Sequence, residues 1–234
     1  MALPGAAPVP VVREVDLDVT AGESLGLVGD SGSGKTMTAL AAMDVVPAGV
    51  ERVAGSVTLA DGRAPSMIFQ EPRSSLNPLL SVGYQIGEVL RLRGLRGRAV
   101  RRAGVDLLRR VAMPDPEDRY RAFPHELSGG QCQRVSIAMA LAAEPAVLIA
   151  DEPTTALDVS VQAQVLRLLD TLRREEGLAL WLITHDLALV AATCERVAVM
   201  DAGRIVERGR RREVFAAPQA AATRRLLAAA REVG

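Results

Sequence analysis

One short segment constrains this chain more than any other. Gly29-Asp30-Ser31-Gly32-Ser33-Gly34-Lys35-Thr36 has the spacing GxxxxGK[ST]. It lies between an apolar run, Ser24 to Val28, and a stretch with helical spacing at Met37, Leu40 and Met43. Glycines at this spacing let the backbone curl so that successive N–H groups face one anion, and the following helix adds its dipole. Lys35 is placed to reach the β- and γ-phosphates of a nucleotide, and the Thr36 hydroxyl to bind Mg²⁺. A strand, a phosphate loop and a helix in that order predict an α/β chain with a mostly parallel sheet.

The composition agrees. Hydrophobic residues make up 49% and charged residues 24%, which excludes a disordered or fibrous chain. Aromatics are only 3%, so the core must be built from Ala, Val, Leu and Ile, as buried parallel sheets usually are. Acidic and basic residues balance at 28 each, which argues against a protein devoted to nucleic-acid binding. Of the 28 basic residues Lys35 is the only lysine. Arginine and lysine exchange freely on a wet surface but not where a compact ammonium must fit. The longest charge-free run, Ser74 to Gly87, falls short of the roughly 20 residues a membrane helix needs. The N-terminus lacks a basic leader, and Pro4, Pro8 and Pro10 interrupt its apolar stretch, so a cytosolic chain is expected. Two cysteines, Cys132 and Cys194, read as small buried hydrophobes.

Along the chain, residues 14–28 read as a hairpin, an alternating strand followed by a buried one. A helix opens near Gly34 and stops before Pro47. Ser56 to Ala60 and Ser66 to Phe69 read as a second short strand pair. From about Glu71 to Ala143 the pattern turns helical: Val82 to Leu92, Arg98 to Val111 and Gly129 to Ala143. Strand and helix then alternate: Ala146 to Ala150, Val159 to Glu175, Ala179 to Ile183, Leu187 to Ala192 and Val197 to Met200. Such alternation means a parallel sheet with crossover helices. One domain is expected over 1–234. Its core comes from 1–70 and 144–234, and a helical block over 71–143 is inserted between.

Two further strand ends carry chemistry. Ala146 to Ala150 ends in Asp151-Glu152-Pro153, and acids at the C-terminal edge of a parallel strand lie where open α/β sheets place ligands. Asp151 suits Mg²⁺, and Glu152 could orient and deprotonate an attacking water. Leu180 to Ile183 ends in Thr184-His185-Asp186, and His185 can converge with Glu152 on the terminal phosphate. The six arginines between Arg91 and Arg102 read either as a solvated helix pair or as a contact for a partner or anionic lipid.

Leu127-Ser-Gly-Gly-Gln131 resembles the signature of ATP-binding cassette (ABC) ATPases. With Gln70 after a strand, Asp158 in Thr155-Ala-Leu-Asp158, and His185, the whole ordered set is present over about residues 14–216. Phe69-Gln-Glu-Pro-Arg-Ser-Ser-Leu-Asn-Pro78, Phe123-Pro-His-Glu-Leu-Ser128, Asp151 to Val159 and Ile183 to Leu187 are similar to stretches in the ATPase subunits of oligopeptide, dipeptide and nickel importers.

The resemblance implies the ABC ATPase fold: a P-loop core, an antiparallel β subdomain and an inserted helical subdomain. It implies ATP and Mg²⁺ as ligands and ATP hydrolysis coupled to import of peptides, nickel or a related solute. The partners it implies are transmembrane permeases, a second identical or paralogous ATPase subunit packed head to tail, and indirectly a solute-binding protein. No nucleic acid is expected, and the chain would work at the cytoplasmic face of the membrane. A soluble non-transport cassette and a regulatory cassette are the alternatives.

ATP would lie on the loop from Gly29 to Thr36 with Thr38. The Ser128, Gly129, Gly130 and Gln131 of the opposite subunit would cover it, with Asp158 at the same interface. Glu152, His185, Gln70 and Lys35 would carry the chemistry, and Thr36, Gln70 and Asp151 would serve the metal. The segment from Gln70 to about Leu92 would meet the permease, with Leu76, Leu79, Leu80 and Val82 as an apolar patch unless those residues pack inward. One departure stands out. The family usually has an aromatic before the P-loop that stacks on adenine, yet no aromatic precedes Phe69, so weak base selectivity is expected.

Overall fold

A computed structural model describes residues 9–59, 61–155 and 157–233. Its strands are β1 (Ser24–Val28), β2 (Ser66–Ile68), β3 (Val147–Asp151), β4 (Ala179–Ile183), β5 (Arg196–Asp201) and β6 (Arg204–Arg210). The helices are α1 (Lys35–Ala42), α2 (Val82–Leu92), α3 (Arg98–Arg110), α4 (Pro116–Arg119), α5 (Gly129–Ala142), α6 (Val159–Glu176), α7 (Leu187–Thr193), α8 (Arg211–Ala216) and α9 (Ala221–Val233).

One sheet holds all six strands in the order β2-β3-β4-β1-β5-β6, parallel except for β6, which runs antiparallel to β5. β1 is central and fully buried, with Gly26 opposite Leu182 on β4 and Val197 on β5. Gly26 is a packing requirement. A Cβ there would sit 2.8 Å from Val190 Cγ1, so its absence lets α7 press on the sheet. The other face carries a smaller cluster in which Leu25, Leu27, Ile149, Trp181, Ile183 and Met200 pack with Ala39 of α1. Burial of such side chains is worth about 1.5–3 kcal/mol each relative to exposure.

Helices α2 to α5 follow one another between β2 and β3 with no intervening strand, as the helical pattern over 71–143 predicts. Tyr120 fixes their packing. Its ring occupies the space where Gly83 of α2 and Gly104 of α3 would each carry a Cβ, and its carbonyl accepts from the Gly83 N–H at 2.7 Å. Both cysteines are buried and free, and burial raises both thiols, Cys194 to about 11.

Three expectations change. The hairpin over 14–28 does not form, because only Ser24–Val28 is strand. The alternation over 14–20 is real: Val15, Leu17 and Val19 pack on the smaller cluster while Glu14, Asp16 and Asp18 face out. What ties this segment down is arginine side chains from β5 and β6 instead of a backbone ladder. Arg196 meets Asp18 at 2.7 Å, Arg208 donates to the Asp16 carbonyl at 2.5 Å, and Arg204 pairs with Glu14.

The second pair also fails. β2 pairs in parallel with β3, residues 56–59 are not strand, and Ala60 lies outside the described residues. The antiparallel pairing instead comes from β6. Its charged, alternating Arg-Ile-Val-Glu-Arg-Gly-Arg is an edge strand that hydrophobic periodicity passes over.

The apolar patch is split as well. Leu76 and Val82 are buried and only Leu79, 82% exposed, stands fully in solvent. The Gln85 side chain accepts from the Asn77 N–H at 2.9 Å and donates to the Leu80 carbonyl at 2.9 Å, so it staples this loop to α2.

Candidate functional site

β1 delivers the chain into the loop and α1 takes it out, starting at Lys35. Gly32 (φ 78°) and Gly34 (φ 106°) take the left-handed backbone that the curl needs. A Cβ on Gly29 would collide with the Met200 carbonyl of β5. Lys35 folds back across the loop, where its Nζ donates to the carbonyls of Gly29 (2.8 Å) and Asp30 (3.0 Å). Burial pushes this ammonium below the ordinary lysine range, and the charges of Glu152, Asp151 and Asp30 work against that shift. The Ser33 hydroxyl is buried without a hydrogen-bond partner. An orphaned donor inside a phosphate loop fits an anion arriving there.

Thr36 Oγ1 donates to Asp151 Oδ2 at 2.7 Å. Asp151 is the last residue of β3, and burial pushes its carboxyl above the usual range, with the charge of Glu152 adding to this. The pair offers hard oxygen donors at the mouth of the loop. Among the described residues no cluster of three or more His, Cys, Asp or Glu could hold a metal alone. One hydroxyl and one carboxylate suit Mg²⁺, which keeps several waters and shares its shell with substrate phosphates.

Glu152 gathers the rest. Its Oε2 accepts from Gln70 Nε2 at 3.0 Å and from Thr155 Oγ1 at 2.9 Å, and its Oε1 lies 2.8 Å from His185 Nδ1. Three elements therefore converge on one carboxylate: the ends of β2, β3 and β4. The backbone turns sharply there, with Glu152 at φ 45° and its N–H donated to the Ile183 carbonyl at 2.8 Å. A left-handed, non-glycine residue carries strain of about 1–3 kcal/mol and is held in place by its surroundings. Burial pushes the Glu152 carboxyl up, but the hydrogen bonds from His185 and Thr155 and the charges of His185 and Lys35 outweigh it. The net shift is downward.

A second group lies apart. Ser128 caps α5 in a reciprocal box: Gln131 N–H donates to Ser128 Oγ (3.3 Å) and Ser128 N–H to Gln131 Oε1 (3.0 Å). Gly130 packs directly on α6, where a Cβ would meet Val161 Cγ1 at 2.6 Å. Asp158 stands at the start of α6 without making a side-chain cap. No hydrogen bond joins Ser128–Gln131 or Asp158 to the phosphate loop among the described residues. Arg73, three residues beyond Gln70, donates to the Leu127 carbonyl at 3.3 Å, beside Ser128.

Thr38 is a correction. Its hydroxyl donates to the Gly34 carbonyl at 2.9 Å and faces Met200 Sδ in the core, so it does not face a ligand in the loop. Thr155, the third donor on Glu152, was missed by sequence reasoning. The one available signal was a hydroxyl three residues after a carboxylate in a loop.

This architecture is matched elsewhere. The model of the ABC transporter family matches residues 12–155, more than half of the chain. Among curated proteins, the peptidoglycan transport ATP-binding protein YejF of Agrobacterium fabrum is 46% identical over 96% of this chain and 44% of its own length. The dipeptide transport ATP-binding protein DppD of Haemophilus influenzae is 45% identical, covering 94% of this chain and 72% of its own. DppD of Escherichia coli is 43% identical, covering 96% and 73%. The chain thus spans less than half of the first relative and nearly three quarters of the other two.

Among solved structures, cbiO1 of Clostridium perfringens, part of the ABC transporter complex cbiONQ, matches with a TM-score of 0.73 and 27% identity, covering 88% of this chain and 84% of its own. The ATP-binding cassette MJ0796, a dimer in a post-hydrolysis state bound to ADP and Pi, matches at 0.69 and 27% identity over 86% and 90%. With its phosphate loop, its Thr36–Asp151 pair and these relatives, the chain belongs to the ABC transporter family, as an ATP-binding and ATP-hydrolysing cassette.

Proposed function

We propose that this chain is the ATPase subunit of a peptide importer and that Glu152 is its general base. The observation that carries the reading is the convergence of Gln70, Thr155 and His185 on Glu152, beside a phosphate loop with its Thr36–Asp151 pair. Glu152, held ionised by those donors, takes a proton from the water that attacks the γ-phosphate of ATP. Gln70 and His185 orient that water and the terminal phosphate. Lys35 stabilises charge on the β- and γ-phosphates. Thr36 and Asp151 would hold Mg²⁺, with Gln70 near the same shell, and the ion supplies charge neutralisation on the phosphate oxygens.

Ser128, Gly129, Gly130, Gln131 and Asp158 make no bond to the loop of their own chain, which supports a head-to-tail dimer in which they cover the partner's ATP. The domain is read as one unit, with 1–70 and 144–234 binding ATP and 71–143 forming the helical block. No helix of the described residues is long and apolar enough to cross a membrane. Transmembrane permeases are the proposed partners. The loop around Leu79 is the proposed contact with them, at the cytoplasmic face. Dipeptide transport, for which the two DppD relatives are named, supports peptides as cargo. An extracytoplasmic solute-binding protein would feed the permeases.

The test is Lys35→Ala. No other lysine exists to replace its charge, so MgATP binding should vanish by calorimetry. Affinity within twofold of wild type would sink the assignment.

A further inference from the structure

The strand order separates the two ends of a bound nucleotide. Gln70, Glu152 and His185 follow β2, β3 and β4, which all lie to one side of β1 and its phosphate loop. On the other side come β5 and β6, joined through the turn at Ala202-Gly203. A nucleoside triphosphate seated on the loop with its terminal phosphate toward Glu152 therefore sends its base toward that turn. This step rests on the ATP site proposed above.

Residues 11–13 occupy the base side. The Arg13 N–H donates to the Gly203 carbonyl at 2.7 Å, and the Gly203 N–H donates to the Ser33 carbonyl at 2.9 Å. Two hydrogen bonds thus tie Arg13 to the phosphate loop through the turn. Val12 packs into the core, and a Cβ on Gly34 would lie 3.3 Å from the Val11 carbonyl, so the segment runs against the loop wall. Directly after Arg13 the chain bends, with Glu14 at φ 51° anchored by its ion pair to Arg204.

The Arg13 side chain is exposed and takes part in no ion pair among the described residues; its Nη2 donates to the Ala202 carbonyl at 3.0 Å. Guanidinium hydrogen bonds are made in the plane of the group, so this one does not itself occupy a face. Two other cations near this rim are paired, Arg204 with Glu14 and Arg225 of α9 with Asp201 at 3.3 Å. Phe69 is exposed but adjoins Gln70, on the terminal-phosphate side.

We propose that Arg13 is the platform for the nucleotide base. Its guanidinium plane stacks on the purine ring, in place of an aromatic side chain. A planar, weakly hydrated cation stacks well on π-faces, and it does so without reading the ring's edge. Adenine and guanine are then held alike, so the weak base preference expected from sequence persists while affinity for the base is retained.

Calorimetry on the full chain with Mg²⁺ separates base from phosphate, using a non-hydrolysable ATP analogue and inorganic tripolyphosphate as ligands. Arg13→Ala should weaken the analogue about three- to tenfold and leave tripolyphosphate within twofold. Arg13→Tyr, which restores a stacking face without the charge, should recover the analogue's affinity. Equal losses for both ligands would mean that Arg13 acts as a phosphate-facing charge, and no loss, or no recovery with tyrosine, would equally overturn the platform. A wild-type chain that binds neither ligand would overturn the ATP site and this inference together.

Discussion

Thr36 Oγ1 and Asp151 Oδ2 meet at 2.7 Å although Thr36 opens α1, after β1, while Asp151 ends β3, and β4 lies between β1 and β3 in the sheet. The bond bridges the C-terminal edge of the sheet past β4, the strand that His185 follows, and it places a hydroxyl and a carboxylate at one point of the loop mouth.

Asp151→Asn should separate metal binding from stability. Burial raises the Asp151 pKa, so the fold favours its protonated form. Its contribution to stability is present below the unfolded value and is lost as pH rises through the folded one. At pH 7 the ionised carboxylate is therefore a cost that asparagine removes. We expect thermal unfolding at or above the wild-type temperature, together with a ten- to hundredfold weaker Mg²⁺ dependence of nucleotide binding, roughly as for other metal-shell losses. A destabilised variant with unchanged Mg²⁺ response would reverse the assignment.

Glu152→Gln should bind ATP and lose turnover by the ~10²–10⁴ expected for a missing general base. The amide keeps the volume and one acceptor for Gln70 or Thr155, so the site should persist. Trapping of an ATP-bound dimer, seen by size-exclusion chromatography, is the accompanying sign. Hydrolysis at the wild-type rate would exclude this residue.

The same substitution carries a pH signature. The Glu152 pKa is lowered in the fold, so its charge contributes stability above the unfolded glutamate value of 4.5, and that contribution is lost as pH falls through the folded value. The stability difference between wild type and Glu152→Gln, followed by denaturant unfolding, should therefore be constant near neutrality and shrink only below about pH 4.5. A difference that grows on acidification would mean that the carboxylate is held against its environment.

Gly130→Ala tests the packing of the signature helix. The added methyl would meet Val161, a stiff β-branched side chain, at 2.6 Å. Overpacking of this kind costs about 1–3 kcal/mol, against a helix-propensity gain of under ~1 kcal/mol so near the helix start. Net destabilisation of ~1 kcal/mol by urea unfolding is expected. The double variant Gly130→Ala, Val161→Ala should recover most of it if the clash is the cause, and an additive loss would place the effect elsewhere.

Much of the site could be read in the chain itself because its parts are local. A phosphate loop is eight consecutive residues whose backbone does the binding, so Gly29 to Thr36 could be identified without a fold. Asp151, Glu152 and His185 could be identified because each lies at, or within two residues of, the end of a buried apolar strand. Ser128 and Gln131 form a box within one helix turn. Helices α2, α3 and α5 were legible from apolar spacing alone.

What the tertiary structure decided are the relations between distant segments. Alternation over 14–20 shows which side chains turn inward but not whether the backbone will find a partner, and here arginines of β5 and β6 take the place of a ladder. Thr38 and Thr36 are two residues apart, yet the helix turns one to the core and the other to Asp151. Leu76 and Leu79 are both leucines in one loop, and only packing separates the buried one from the exposed one. Arg13 is unremarkable as a letter and becomes a rim residue because β5 and β6 close beside the loop. Strand order is set by long-range pairing whose register no local pattern contains, and it is strand order that gives this site its two ends.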